Sequence, residues 1–205
     1  MAARTGRGPR GERGAQADRI LAAARKSFAN RGYDGTSMRS VAQAADVDPT
    51  LVNYYFSNKM GLLKAALQPP DSFGEAIAEA AKAPMDKRGR AFLEAALRMW
   101  DDPATSEILR SIILAASHEP FAMQRLRAVF STLILQVVSA SLPDDEAELR
   151  ADLVSTQIVG LAMTRYIWEI GRIATIPSEQ VTHLIAPTIQ HYLTGPLGDA
   201  VAGTP

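Results

Sequence analysis

The chain has 205 residues, 47% apolar and 21% charged, enough to bury one full core or two smaller ones, and this excludes disorder throughout. Its 34 alanines and few aromatics favour helix over sheet, because Ala loses no side-chain entropy in a helix, and with no cysteine there are no disulfides, thiolate metal sites or thiol nucleophiles. The net charge of zero hides a division: residues 1–67 hold eleven Lys or Arg against five Asp or Glu, and residues 68–205 hold eleven against seventeen, which points to a polyanion as partner of the first part only.

Residues 1–16 form a basic arm, with Arg4, Arg7, Arg10 and Arg13 among glycines, and are expected to be disordered. With no apolar stretch before Ile20, the arm does not read as a secretory signal. Ile20, Leu21, Ala24 and Phe28 then fall on one stripe that Gly32 stops, which predicts a helix over 17–31. Ser37 caps a short helix over 38–44 whose buried side is Met38, Val41, Ala42 and Ala45. Asp48-Pro49 opens a third over 49–55, since Asp caps the free amides and Pro at the first helical position loses no hydrogen bond. A fourth, capped by Ser57, carries Leu62, Leu63 and Ala66 and ends before Pro69-Pro70.

The expected division is therefore the arm over 1–16, a first helical domain over 17–68 and a second over 69–205. Beyond Pro69, helical periodicity covers 71–82, 86–101, 104–117, 120–141, 146–171 and 178–193, and no stretch alternates as a strand would. Pro187 predicts a kink near 183–187 in the last of these. The longest uncharged run, 128–143, has 16 residues broken by polar ones, short of the roughly 20 a bilayer crossing needs, so the expected location is cytoplasmic. The fold class is all-α, with about nine to ten helices.

Two short helices joined by a tight turn, the second opened by Asp-Pro, form a helix-turn-helix signature whose second helix fits a major groove about 12 Å wide. Val52 and Phe56 turn inward at i, i+4, leaving Pro49, Thr50, Asn53 and Tyr54 on the outer side. Here the sequence resembles the TetR family of bacterial transcriptional regulators. The residues carrying the likeness are Ile20 to Ala24, Phe28-Ala29, Arg31-Gly32-Tyr33, Gly35-Thr36-Ser37-Met38-Arg39, Val41-Ala42, Val47-Asp48-Pro49 and the run Tyr55 to Leu63. A looser likeness follows in Trp100 to Pro103, Leu109-Arg110-Ser111, Gly160-Leu161-Ala162, Arg165-Tyr166 and Ala186 to Gly195.

The resemblance implies roles. Ser37 and Lys59 match residues that hold phosphates, Arg39 matches a DNA contact on the first motif helix, and Thr50 and Leu51 match groove-facing positions. Asn53 stands where many relatives carry tyrosine, and an asparagine can pair bidentately with adenine. Tyr55 is expected to offer its hydroxyl to a phosphate, because duplex bases are already stacked, while Phe56 reads as core.

For the second domain the resemblance implies a small-molecule effector and a homodimer. The last two long helices are the expected interface, a four-helix bundle formed with a second copy through Thr156, Gly160 and Thr164 on one helix and Val181, Leu184, Ile185, Thr188, Ile189 and Tyr192 on the other. An effector pocket is expected among Met99, Trp100, Ile113, Leu114, Phe121, Met123, Phe130, Met163 and Tyr166, with Arg110 and Arg165 as polar anchors. The function implied is a dimeric one-component regulator, a repressor that an effector releases from a near-palindromic operator; the alternative is a DNA-binding regulator under no small-molecule control.

Enzyme readings find no support. No Gly-rich phosphate loop, G-x-S-x-G or H-E-x-x-H occurs, and His118 beside Glu119 is an isolated pair. His183 and His191 are eight residues apart on one helix, about 12 Å of rise, too far to share a metal. Neither a metal nor a cofactor is expected.

Overall fold

The computed structural model describes residues 9–69, 71–116, 119–142 and 146–197. These form eleven α-helices, and no strand occurs among the described residues, so the all-α class holds. They are α1 (Pro9–Arg31), α2 (Met38–Ala44), α3 (Pro49–Phe56), α4 (Lys59–Ala66), α5 (Asp71–Ala81), α6 (Arg88–Asp101), α7 (Pro103–Ala116), α8 (Pro120–Val129), α9 (Gln136–Ala140), α10 (Ala147–Ala162) and α11 (Ser178–Thr194). A π-helical stretch, Phe130–Leu135, follows α8 and leads into α9, and a second, Met163–Ile167, extends α10. In the second, Trp168 N–H reaches Met163 O at 2.8 Å, while Thr164 Oγ1 donates to Gly160 O, so a hydroxyl competes for the carbonyl that an α-helical amide would take.

The chain condenses into two compact units, residues 1–68 with 107–126, and residues 69–106 with 127–205. This corrects the expectation of one unbroken second domain over 69–205. The reason lies in the first unit's core, where Ile20, Ala24, Phe28, Val41, Val52, Leu62 and Leu63 are sealed by Ile108, Ile112 and Ala115 of α7 and Ala122 of α8. Four helices, three of them of only seven or eight residues, cannot bury all their apolar faces against one another, and 107–126 supplies the missing wall. Polar ties reinforce it: Arg25 Nε donates to Ala66 O at 3.0 Å, Ser111 Oγ donates to Arg25 O at 3.3 Å, and Arg125 donates to Gln68 Oε1 at 2.6 Å.

In the second unit α6 lies against α11 at Gly89, where an added Cβ would stand 2.6 Å from Gln190 N. The Gly89 N–H donates to Gln190 Oε1 at 2.9 Å, so only glycine admits this approach. Three arginines hold carbonyls outside their own helices: Arg88 those of Ala83 and Ser141, Arg150 those of Tyr192 and Gly195, and Arg165 those of Ile173 and Ile176.

Other expectations shift by small amounts. α1 begins at Pro9 rather than at 17, so 9–16 of the expected disordered arm is helix; Glu12, Ala15, Gln16 and Ala17 are strong helix formers that offset Gly11 and Gly14. Arg4 and Arg7 lie outside the described residues, as does His118. The cap of α4 is Asn58, whose Oδ1 accepts from Gly61 N at 2.8 Å, and not Ser57, which turns the chain with φ 63°. α11 runs through Pro187 as one helix. Among the described residues, Pro120–Ala140 is the one stretch long and apolar enough to cross a bilayer, with mean hydropathy 1.2. Its Ala122 is nevertheless sealed in the first unit's core and its Arg125 is bonded to Gln68.

Candidate nucleic-acid interface and effector region

The motif is assembled by local capping. Ser37 Oγ accepts from Ser40 N at 3.0 Å while Ser40 Oγ accepts from Ser37 N at 3.1 Å, a reciprocal capping box that starts α2. Asp46 takes a left-handed φ of 53°, and Val47 N–H returns to Ala42 O at 3.0 Å, closing the turn. Asp48 Oδ1 then accepts from Thr50 N at 2.7 Å and Thr50 Oγ1 at 2.5 Å, which holds the carboxyl below the ordinary aspartate range, chiefly through the hydroxyl bond.

α3 buries Val52 alone, with Leu51, Tyr55 and Phe56 half-buried. Pro49, Thr50, Asn53 and Tyr54 stand in solvent, Tyr54 75% exposed. Asn53 Nδ2 donates to Pro49 O at 3.2 Å. The link to α4 is so tight that a Cβ on Gly61 would lie 2.2 Å from Phe56 O. Lys59 opens α4 with its ammonium 4.2 Å from the centre of the Tyr33 ring, and Ser37 and Arg39 are exposed at the start of α2. The expected nucleic-acid residues thus lie on α2, α3 and the start of α4, with Ser37 also engaged as a cap. Arg19, Lys26 and Arg31 rim a groove of about 370 Å³ between α1 and α2, adding positive field to the same unit.

The expected effector residues divide between the units. Arg110, Leu114 and Phe121, with Ile113 and Met123, belong to the first, where Phe121 packs against its core under the ammonium of Lys64. Met99, Trp100, Phe130, Met163, Arg165 and Tyr166 belong to the second. There Trp100 stacks on Tyr166 with centroids 5.1 Å apart, Tyr166 OH donates to Asp101 Oδ1 at 2.8 Å, and burial pushes the phenol up from its ordinary value. Arg165 is a clamp rather than an open anchor: its terminal nitrogens hold Ile173 O, Ile176 O and Ser178 Oγ, and only its buried Nε lacks a partner.

The expected interface stripe also needs correction. Val181 and Ile189 are fully buried in their own unit, so they cannot face a second copy. Leu184 is 60% exposed, Thr156, Gly160 and Thr188 are exposed, and Thr164, Ile185 and Tyr192 are half-buried. A Cβ on Gly160 would meet nothing within 4 Å.

An eight-residue helix with a bare outer face, set behind a capped turn on a basic unit, defines a helix-turn-helix DNA-binding protein with a separate all-helical C-terminal unit. Comparison with known proteins makes the assignment specific. The family description "Bacterial regulatory proteins, tetR family" matches residues 20–66, and "Tetracyclin repressor-like, C-terminal domain" matches residues 86–193. A TetR-family regulator from Streptomyces coelicolor A3 is 30% identical in sequence, with a TM-score of 0.59 over 92% of this chain and 98% of that one. A transcriptional regulator from Rhodococcus sp. Rha1 is 25% identical, with a TM-score of 0.63 over 87% and 96%. The probable helix-turn-helix transcriptional regulator YttP of Bacillus subtilis is 40% identical over 47 residues, which span 23% of this chain and 23% of that relative. The chain belongs to the TetR family of transcriptional regulators, a family of DNA-binding transcription factors and not of enzymes.

Proposed function

We propose that the protein is a homodimeric one-component repressor. Two copies of α3 read a near-palindromic operator, and a small apolar or amphipathic effector releases them. The observation that carries the reading is the bare face of α3: a helix this short gains little stability of its own, so Thr50, Asn53 and Tyr54 in solvent are best accounted for as contacts to base edges and phosphates. Leu51 and Pro49 flank that surface, Tyr55 supplies a hydroxyl at its rim, and Ser37, Arg39 and Lys59 fix register on the backbone.

Dimerisation follows from geometry, since one short helix binds weakly and two heads at fixed spacing read two half-sites. Thr156, Gly160, Thr164, Leu184, Ile185, Thr188 and Tyr192 form the proposed contact, without Val181. The effector site is proposed in the second unit around Met99, Trp100, Phe130, Met163, Arg165 and Tyr166; Arg110, Leu114 and Phe121 would respond to it rather than bind it. The chain passes between the units at 68/69, within α7 at 106/107 and within α8 at 126/127, so a shift in the second unit can be passed on by two continuous helices. Repression follows from a bound dimer occluding polymerase.

The test is a footprint on the DNA flanking the protein's own reading frame, paired with light scattering. A protected near-palindrome bound by a dimer supports the reading. A monomer that retains no sequence preference as salt rises overturns it. A dimer whose footprint responds to no small molecule would favour the regulator without effector control.

A further inference from the structure

The turn between α1 and α2 is rigid for reasons visible in its bonds. Gly32 takes φ 68° and its N–H returns to Phe28 O at 3.1 Å; Thr36 N–H reaches Tyr33 O at 3.1 Å and Thr36 Oγ1 donates to Gly32 O at 2.8 Å. A Cβ on Gly35 would lie 2.4 Å from Arg31 O, so the turn has no room for a side chain there. This frame holds the Tyr33 ring parallel to Phe28, 10° between planes with centroids 6.2 Å apart, and Phe28 is itself fully buried. The same ring carries the Lys59 ammonium 4.2 Å from its centroid, and Asp34 O stands 3.5 Å from Nζ. No carboxylate is paired with Lys59 among the described residues.

We infer that Tyr33 is a positioning residue for DNA binding: its ring, backed by the first unit's core, seats the Lys59 ammonium so that the remaining N–H donors face a backbone phosphate. The inference rests on the proposed role of Lys59 in holding a phosphate. A lysine on a free four-carbon stem must be ordered when it binds, and a seat already occupied in the free protein removes that cost. An ammonium has three donors, so one directed at Asp34 O and an apolar side laid on the ring still leave N–H groups for the ligand. The ring is suited to this because its negative face attracts the cation without neutralising it, as a carboxylate would.

The experiment uses the full chain and a short mixed-sequence duplex titrated with salt. Lys59→Met is expected to weaken binding and to reduce the slope of log affinity against log salt by about 0.9 for each phosphate that the ammonium had neutralised. Tyr33→Leu is expected to weaken binding by about two- to fivefold per subunit, and Tyr33→Phe, which keeps the ring face, to restore it. In the Lys59→Met background Tyr33→Leu should have no further effect. Fluorinated phenylalanines at position 33, which weaken the ring face while keeping its shape, should lower affinity stepwise at constant melting temperature; they keep the test open if Tyr33→Leu folds poorly. An equal loss from Tyr33→Leu with and without Lys59, or no response to fluorination, overturns the seat alone. An unchanged affinity and slope in Lys59→Met overturns the phosphate-holding role itself, and the seat with it.

Discussion

Asp-Pro opens both α3 and α7, and the two helices are used differently. Asp48 accepts from the amide and hydroxyl of Thr50, and Asp102 accepts from the amide and hydroxyl of Thr105 at 2.8 and 2.7 Å. Beyond the first turn they diverge. α7 has 14 residues and buries Ile108, Leu109, Ser111, Ile112, Ala115 and Ala116, whereas α3 has eight and buries Val52 alone. A start signal therefore says where a helix begins and nothing of its purpose. The purpose shows in the side left uncovered, because most helical stability comes from the buried face and a helix that buries one residue is being held in place by its neighbours.

The sharpest way to break this contrast is to cut each helix on its working face. Ile112→Ala, at a site 1% exposed, is expected to cost about 2–5 kcal/mol in urea unfolding. Tyr54→Ala, at a site 75% exposed, should stay within about 0.5 kcal/mol while weakening duplex binding. Comparable losses of stability in the two variants would mean that α3 is a packing helix like α7. Next in size is Gly61→Ala. A Cβ placed 2.2 Å from Phe56 O must open the α3–α4 link, at about 1–3 kcal/mol, with faster hydrogen exchange in α3 and α4 as the local signature. Ser37→Ala removes one half of the capping box and should cost about 1 kcal/mol, read by the same unfolding curves.

The contrast also explains what the sequence could disclose. Ser37 and Asp48 act within three residues of themselves, so α2 and α3 were legible to the residue at their starts, and the exposed set on α3 followed from Val52 facing inward. Ser57 and Asn58 are both competent caps, and only the left-handed turn at Ser57, which the missing Cβ of Gly61 permits, decides for Asn58. In the second unit the decisive bonds span long stretches of chain. Arg150 reaches Tyr192 O and Gly195 O, and nothing in helical periodicity names such a partner. The stripe on α11 was apolar on two adjoining faces, so periodicity could not separate inward Val181 from outward Leu184. Tyr33 was visible as part of a family likeness, but its use as a platform depends on α4 returning to the α1–α2 turn, a meeting of distant segments.

The smallest expected effect separates the two Asp-Pro helices by charge alone. Both carboxyls are held below the ordinary aspartate range, Asp48 chiefly by the Thr50 hydroxyl and Asp102 chiefly by the Thr105 amide. A depressed folded-state value means that each cap contributes fully above the ordinary value and loses its contribution as pH falls through the folded one, so helix content should weaken from about pH 4 downward. Asn accepts the same bonds without charge, so Asp48→Asn and Asp102→Asn should each flatten that acid dependence slightly and change little at neutral pH. DNA distinguishes them. Asp48 stands in solvent at the start of the reading helix, where its charge opposes phosphates, so Asp48→Asn should tighten binding to a mixed-sequence duplex at low salt, and added salt should screen the gain away. Asp102 begins a helix with no part in that face, so Asp102→Asn should leave duplex affinity as it is. Equal changes in the two variants would mean that Asp48 does not stand at the DNA surface, and α3 would lose its claim to be the helix that reads.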